Sequence, residues 1–354
     1  MTTKRNAATH IRTGRKAPAS PASPASPASG AHASTGRRRW MFGAAVLGVA
    51  TLTAVGALAG GAGEGRAHAA VLTNCAATPS NCGYAGATNT GVPSGTTLKS
   101  VPGQVSSGPG WSYNAAGNDV IVKVNGTVLS GLYIPHNVVI DAANVTVKNV
   151  HVVTNGNFGI SLTHTKGVTI ENSTISGQNP TTGRVSSAID DVYGDSTGMV
   201  IKDNNISYFR TAIQISTGLA EGNYIHDPGY IAGDHTNGFY VNGGTEPLTI
   251  ENNTIFDSRG QTDTINLDAG TSGVPVANKT IENNYLAGGG YAIYGGTSPG
   301  NPTSHIVIEG NRFGQQYYPQ GGRYGPVAYF APTGQGNTWS GNFWDTTGKA
   351  IPSP

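Results

Sequence analysis

Carboxylates crowd a few short stretches of this chain, where acid–base or cation chemistry could use them. Asp190-Asp191-Val192-Tyr193-Gly194-Asp195 places three acids within six positions. Gly233-Asp234-His235-Thr236-Asn237-Gly238 sets an acid beside a histidine, and Gln261-Thr262-Asp263 opens a run that ends in Asp268. One protonated and one ionised carboxyl flanking a glycosidic bond can hydrolyse it. The same acids, clustered, could instead hold Ca²⁺. A lone loop Asp more often caps its own turn, but several converging with a His at one edge mark a site. The candidate catalytic residues are therefore Asp190, Asp191, Asp234, His235 and Asp263. Asp195 joins them as a metal ligand only if the reaction is a calcium-assisted elimination.

These residues must be positioned by a repeat. Thr169-Ile170-Glu171-Asn172-Ser173-Thr174-Ile175 returns as Val200-Ile201-Lys202-Asp203-Asn204-Asn205-Ile206, and again around Ile225, Ile255, Leu286 and Phe313. The steps are 31, 19, 30, 31 and 27 residues, with a weaker copy ending at Val152, 23 residues upstream of Ile175. Short runs alternating with period two, repeated at this spacing, predict a parallel β-solenoid. Asn204, Asn223, Asn253, Asn284 and Asn311 recur at one place. Asn tolerates left-handed turns, and stacked amides can bond from coil to coil. An Asn ladder at a tight turn follows. Helical stretches and a periodic Leu pattern, which a leucine-rich horseshoe needs, are missing.

A second strand follows a variable loop in each repeat. Aligning Ile160, Ile189, Ile213, Phe239, Ile265 and Ile293 inward leaves an outward row of Ser161, Asp190, Gln214, Tyr240, Asn266, Tyr294 and Phe330. Coils about 4.8 Å apart turn that row into a strip suited to a chain-like, hydroxylated ligand. Gln214, Tyr240, Asn242, Asn266, Asp268 and Tyr294 are its candidate binding residues, with Arg184 and Arg259 either as salt-bridge partners of the acids or as contacts to a carboxylated sugar. No His or Cys spacing suggests zinc.

Residues 1–69 are a different polymer. A Pro-Ala-Ser tract over 17–34 precedes Arg37, Arg38 and Arg39, a mild apolar run, and Ala67-His68-Ala69. That order predicts an export signal cleaved after Ala69, of twin-arginine or Sec type, and a secreted product with no membrane anchor after cleavage. Nine of the 21 basic residues lie in this leader but only one of the 19 acids, so the remainder carries 12 basic and 18 acidic residues, net −6. Such a balance argues against a nucleic-acid partner. Cys75 and Cys82, the only cysteines, should pair once exported. The expected division is 1–69 leader, 70–100 an N-terminal segment with the cysteine pair, and 101–354 one all-β solenoid domain, a monomer.

The repeat, the Asn ladder, the export signal and the acid-bearing sheet resemble the right-handed parallel β-helix proteins of the pectate-lyase-like superfamily. The similarity covers roughly residues 100 to 345. It implies a secreted, carbohydrate-active protein, and members include polysaccharide lyases, glycoside hydrolases, epimerases and non-catalytic adhesins. Asp190-Asp191 resembles the Asp pair of the polygalacturonase-like hydrolases, while their Asn-Thr-Asp, Gly-His-Gly and Arg-Ile-Lys elements are not reproduced. The expected function is glycoside hydrolysis of a polysaccharide with no cofactor. The alternatives are a Ca²⁺-assisted lyase acting on a uronate polymer and a non-catalytic glycan-binding solenoid. The leader makes a direct prediction: N-terminal sequencing of the exported protein should begin at Ala70, and an unshortened product would refute the signal.

Overall fold

The computed structural model describes residues 75–181, 185–268 and 273–354, so the leader and Arg184 lie outside the described residues. The chain winds as a β-solenoid whose coils each give one strand to three parallel sheets. The sheets hold 10, 11 and 9 strands among the described residues. One full coil illustrates the path: Thr236–Val241 in the second sheet, Leu248–Glu251 in the third, Thr254–Asp257 in the first, and Thr262–Leu267 back in the second.

Register follows the sequence repeat. In the first sheet Val152, Ile175, Ile206, Ile225, Ile255, Leu286, Phe313 and Trp344 stand side by side. In the third, Val147, Ile170, Ile201, Ala220, Ile250, Ile281 and Ile308 do the same. Stacking one apolar row from each sheet makes a single continuous core, and each buried Ile or Leu contributes about 1.5–3 kcal/mol relative to exposure. Lys279 interrupts it: this fully buried side chain stands in register with Leu248 and Ile306. Its ammonium donates to the carbonyls of Ser216 (2.8 Å) and Glu246, and desolvation lowers its pKa to about 8.

The Asn ladder forms at the turn from the third sheet to the first. Asn204, Asn223, Asn253, Asn284, Asn311 and Asn342 are all buried there, the last a rung the repeat count did not include. Each Oδ1 from Asn223 onward accepts both the backbone N–H and the side-chain amide of the preceding rung, at 2.9–3.1 Å. The same amides also reach a carbonyl of the strand before, such as Asn223 Nδ2 to Ile201 O at 2.8 Å. The left-handed backbone sits one residue earlier than expected. It belongs to Asp203, Gly222, Asn252, Asn283, Gly310 and Gly341, with φ between 55° and 64°. The preceding residue makes the turn, which frees the ladder Asn to spend its side chain on the neighbouring coil.

Both ends are closed. An antiparallel hairpin, Trp111–Asn114 with Asp119–Val122, opens the second sheet. At the other end Trp339 and Trp344 pack on Phe313, and Trp339 Nε1 donates to Ile351 O at 2.9 Å. Caps of this kind protect solenoid edges from pairing with other chains.

The N-terminal segment lies along the first sheet. Cys75 and Cys82 form the expected disulfide, with Cα atoms 5.7 Å apart, and this loop packs on Phe256 and Tyr285. The Tyr84 ring rests 5.2 Å from that of Tyr285 with the Arg312 guanidinium over it. Farther on, Gly91 N–H donates to Asp203 O and Val92 N–H to Thr174 Oγ1, before Lys99 pairs with Leu132. The segment thus runs back across several coils and covers their outer face. Removing one rung tests the ladder. Asn253→Ala strands the buried donors of Asn223 and should cost about 3 kcal/mol in urea unfolding, whereas Asn252→Gly, at the left-handed position, should change stability by less than about 1 kcal/mol.

Candidate functional site

The second sheet departs from simple alternation. A Cβ at Gly159 would come within 3.0 Å of Ile175 Cγ2, and one at Gly238 within 2.3 Å of Ile255 Cγ2. Both positions therefore face the core, as do their buried equivalents Ala188, Ala212, Thr264 and Ala292. The next residue in each strand, Ile160 through Ile293, is buried as well. With two successive residues turned inward, each strand bends, and its outward residues fall three apart instead of two. Contacts follow that spacing: Tyr291 and Tyr294 have ring centroids 5.6 Å apart, and Ser187 bonds the carboxyl of Asp190. Small residues are required at the bend because a larger one would collide with the first sheet.

The bend shapes a cleft of about 780 Å³ across consecutive coils. Gln214, Tyr240, Asn266 and Tyr294 line it along one row, Asn237 along the other, with Asp268 at a strand end and Asp234 and His235 entering from a loop. Tyr240 donates its hydroxyl to Asp268 Oδ2. Asp234 also closes its turn, accepting from the Ile231 N–H at 2.9 Å. His235 is exposed, and Gln261 Nε2 lies 3.2 Å from its Nε2, donating to it when that nitrogen is unprotonated. Arg210, Thr262 and Tyr329 also line it.

Other candidates stand elsewhere. Asp191 is in register with Leu162, on the core side, where it accepts the Ser196 N–H at 3.1 and 3.3 Å. Asp190 is buried beside Gln214 in register, its pKa raised first by desolvation. Asp195 pairs with His164 at 2.5 Å on the surface. No group of three or more His, Cys, Asp or Glu suited to a metal ion occurs among the described residues. Arg259 stacks on the Tyr230 ring at 4.6 Å, and Asn242 is exposed beyond the end of its strand. The outward row ends in Ala328, paired with Tyr294; Phe330 lies past the strand and packs on Trp339.

A model of a family described as "Right handed beta helix region" matches residues 136–322, over half the chain. The protein belongs to the right-handed β-helix family. Neither the curated proteins nor the solved structures offer a match to it.

Beneath the cleft this β-helix buries two carboxyls that hydrophobic packing alone does not explain. Asp263 is fully buried in register between Asn237 and Tyr291, and neither oxygen has a hydrogen-bond partner. Desolvation, reinforced by Asp257 and Asp268, pushes it well above the usual carboxylate range; the Tyr294 hydroxyl is also raised, first by burial and then by Asp263. Asp257, at the end of a first-sheet strand, is raised to about 7 by burial, although the Arg259 N–H donates to it at 2.8 Å. Thr262, next to Asp263, has φ +82°, a region that β-branched residues rarely enter. Strain of that kind concentrates at functional sites. Asp257 was not legible as a site residue because it occupies an ordinary strand position of the repeat.

The two acids predict a pH dependence. A folded pKa raised to about 7 means that the native state binds more protons than the unfolded chain above pH 4. Stability should therefore fall as pH rises from about 4 to 7. Asp257→Asn should flatten that slope in thermal melts across the range; an unchanged slope would show that Asp257 titrates normally.

Proposed function

We propose that this β-helix is an exported glycoside hydrolase that binds a polysaccharide along the second sheet, akin to the carbohydrate-active pectate-lyase-like proteins. The observation that carries the reading is the cleft itself: it crosses consecutive coils and combines Tyr rings, amides and two carboxylates, Asp234 and Asp268. Sugar rings offer apolar faces to Tyr and hydroxyls to Asn, Gln and Asp. In this reading Asp268, held by Tyr240, serves as the ionised carboxylate that activates water or attacks the anomeric carbon. Asp234, with His235 beside it, supplies the proton to the leaving oxygen. Asp263 and Asp257 act from below by setting the charge of the cleft floor.

One observation favours a second reading. Arg210 brings a guanidinium to the cleft, which could neutralise a uronate for elimination, with His235 taking the proton. A single assay separates the two. The purified protein is incubated with neutral and uronic polysaccharides, with calcium and with chelator, scoring reducing ends and unsaturated uronates separately. Reducing ends without unsaturation, cut at least about 100-fold by Asp268→Asn and Asp234→Asn, are expected. Unsaturated products lost in Arg210→Ala would replace hydrolysis with elimination, and silence across the panel would leave a glycan-binding solenoid.

A further inference from the structure

The far end of the cleft carries a feature that cleavage does not require. Tyr291 and Tyr294 lie on one coil, and Tyr324 and Tyr329 flank the strand of the next. Ring centroids are 5.8 Å apart for Tyr291 and Tyr324 and 5.2 Å for Tyr294 and Tyr329. With the 5.6 Å contact within the first coil, the four rings form one patch two coils deep. Tyr324 and Tyr329 are 57% and 63% exposed, far more than a packing role would leave them. Isolated exposed tyrosines are ordinary, but four in mutual contact are not.

The backbone holds this patch in place. Tyr329 sits at φ +53°, a left-handed conformation that a bulky side chain seldom adopts. Gly325, at φ +150° and in register with Tyr291, leaves room for its ring: a Cβ there would come within 3.3 Å of it. Tyr324 N–H donates to Gly290 O at 2.7 Å, fixing the loop that presents its ring. The patch is continuous with the cleft, which both Tyr294 and Tyr329 line. It also occupies the last strand of the second sheet, so a ligand can run past it without meeting another coil.

We infer that these four tyrosines are a stacking platform for neutral sugar residues of a long glycan, beyond the acid-bearing centre. The inference rests on the reading of the cleft as a glycan site and specifies the substrate: a chain long enough to reach from Asp234 to Tyr324, neutral where it crosses the platform. Ring faces reward flat apolar sugar faces whatever the linkage. The net charge of −6 outside the leader, with Asp234 and Asp268 set against Arg210 in the same cleft, disfavours a polyanion. Arg323, its guanidinium over the Tyr324 ring at 5.3 Å, is a single cation against that balance.

The test measures binding apart from cleavage. Cellohexaose, mannohexaose, xylohexaose and hexagalacturonate, with the matching disaccharides, are titrated calorimetrically into the protein and into its Tyr324→Ala/Tyr329→Ala and Tyr324→Phe/Tyr329→Phe variants. Thermal melts of all three should coincide, since both side chains are exposed. At least one neutral hexasaccharide should bind, weaken about tenfold or more in the Ala pair, and recover in the Phe pair, which keeps the rings. Disaccharide affinity should barely change. Failure of all three neutral hexasaccharides to bind, an unchanged affinity in the Ala pair, or a preference for hexagalacturonate lost in Arg323→Ala would overturn the platform. Ring-dependent binding without cleavage would keep the platform and remove the hydrolase. Cleavage indifferent to the rings would do the reverse.

Discussion

A buried asparagine normally brings a desolvation cost of several hydrogen-bonding groups, and this fold converts that cost into its axis. Each ladder amide donates to the next Oδ1 and to a strand carbonyl, while its own oxygen accepts two bonds from the rung before. The geometry works only if successive coils stack in register at one turn, so the ladder sets the pitch for all three sheets. Variable loops on both sides of the second sheet do not disturb it, because the ladder closes the turn between the other two sheets. Steps as different as 19 and 31 residues therefore fit one pitch.

Once pitch is set, side chains decide which face is free. The N-terminal segment, pinned by its disulfide against Phe256 and Tyr285, covers the first sheet. The third sheet presents Glu221, Glu251, Glu282 and Glu309 in register, a like-charge column in which Glu251 is raised by burial and by its neighbours. The second sheet is left to bind. Its bend, produced by small residues that face the core beside larger ones, brings outward rows together into a concave cleft. The same bend places Asp263 out of water beneath that cleft.

The buried carboxyls are where stability and function oppose each other. A solenoid built only to fold would not bury the carboxyls of Asp257 and Asp263, the latter in the outward row between Asn237 and Tyr291. Keeping two acids there, beside a strained Thr262, is the sort of local inconsistency that folded proteins retain at working sites. Lys279 is the contrasting case: its buried ammonium is satisfied by two carbonyls from other turns and lies away from the cleft lining. Burial alone does not separate these cases; Asp263 has no hydrogen-bond partner for either oxygen, whereas the Lys279 ammonium has two.

Sequence alone determined the solenoid, the register of two apolar rows and most rungs of the ladder, because a repeat states its own alignment and each coil contacts only its neighbours. It also supplied Gln214, Tyr240, Asn266 and Tyr294 as one row, since outward residues of stacked strands share a position. Tertiary structure decided which acids meet. Asp190, Asp191 and Asp195 are adjacent in sequence, yet burial beside Ser187, a turn at Ser196 and a pairing with His164 send them to three different environments. Arg210, Asn237 and Tyr329 enter the cleft because a strand bend and a left-handed turn aim them there, and neither depends on residue type in a way that one chain reveals. Period-two alternation assumes a straight strand. The cleft exists because this sheet is not straight.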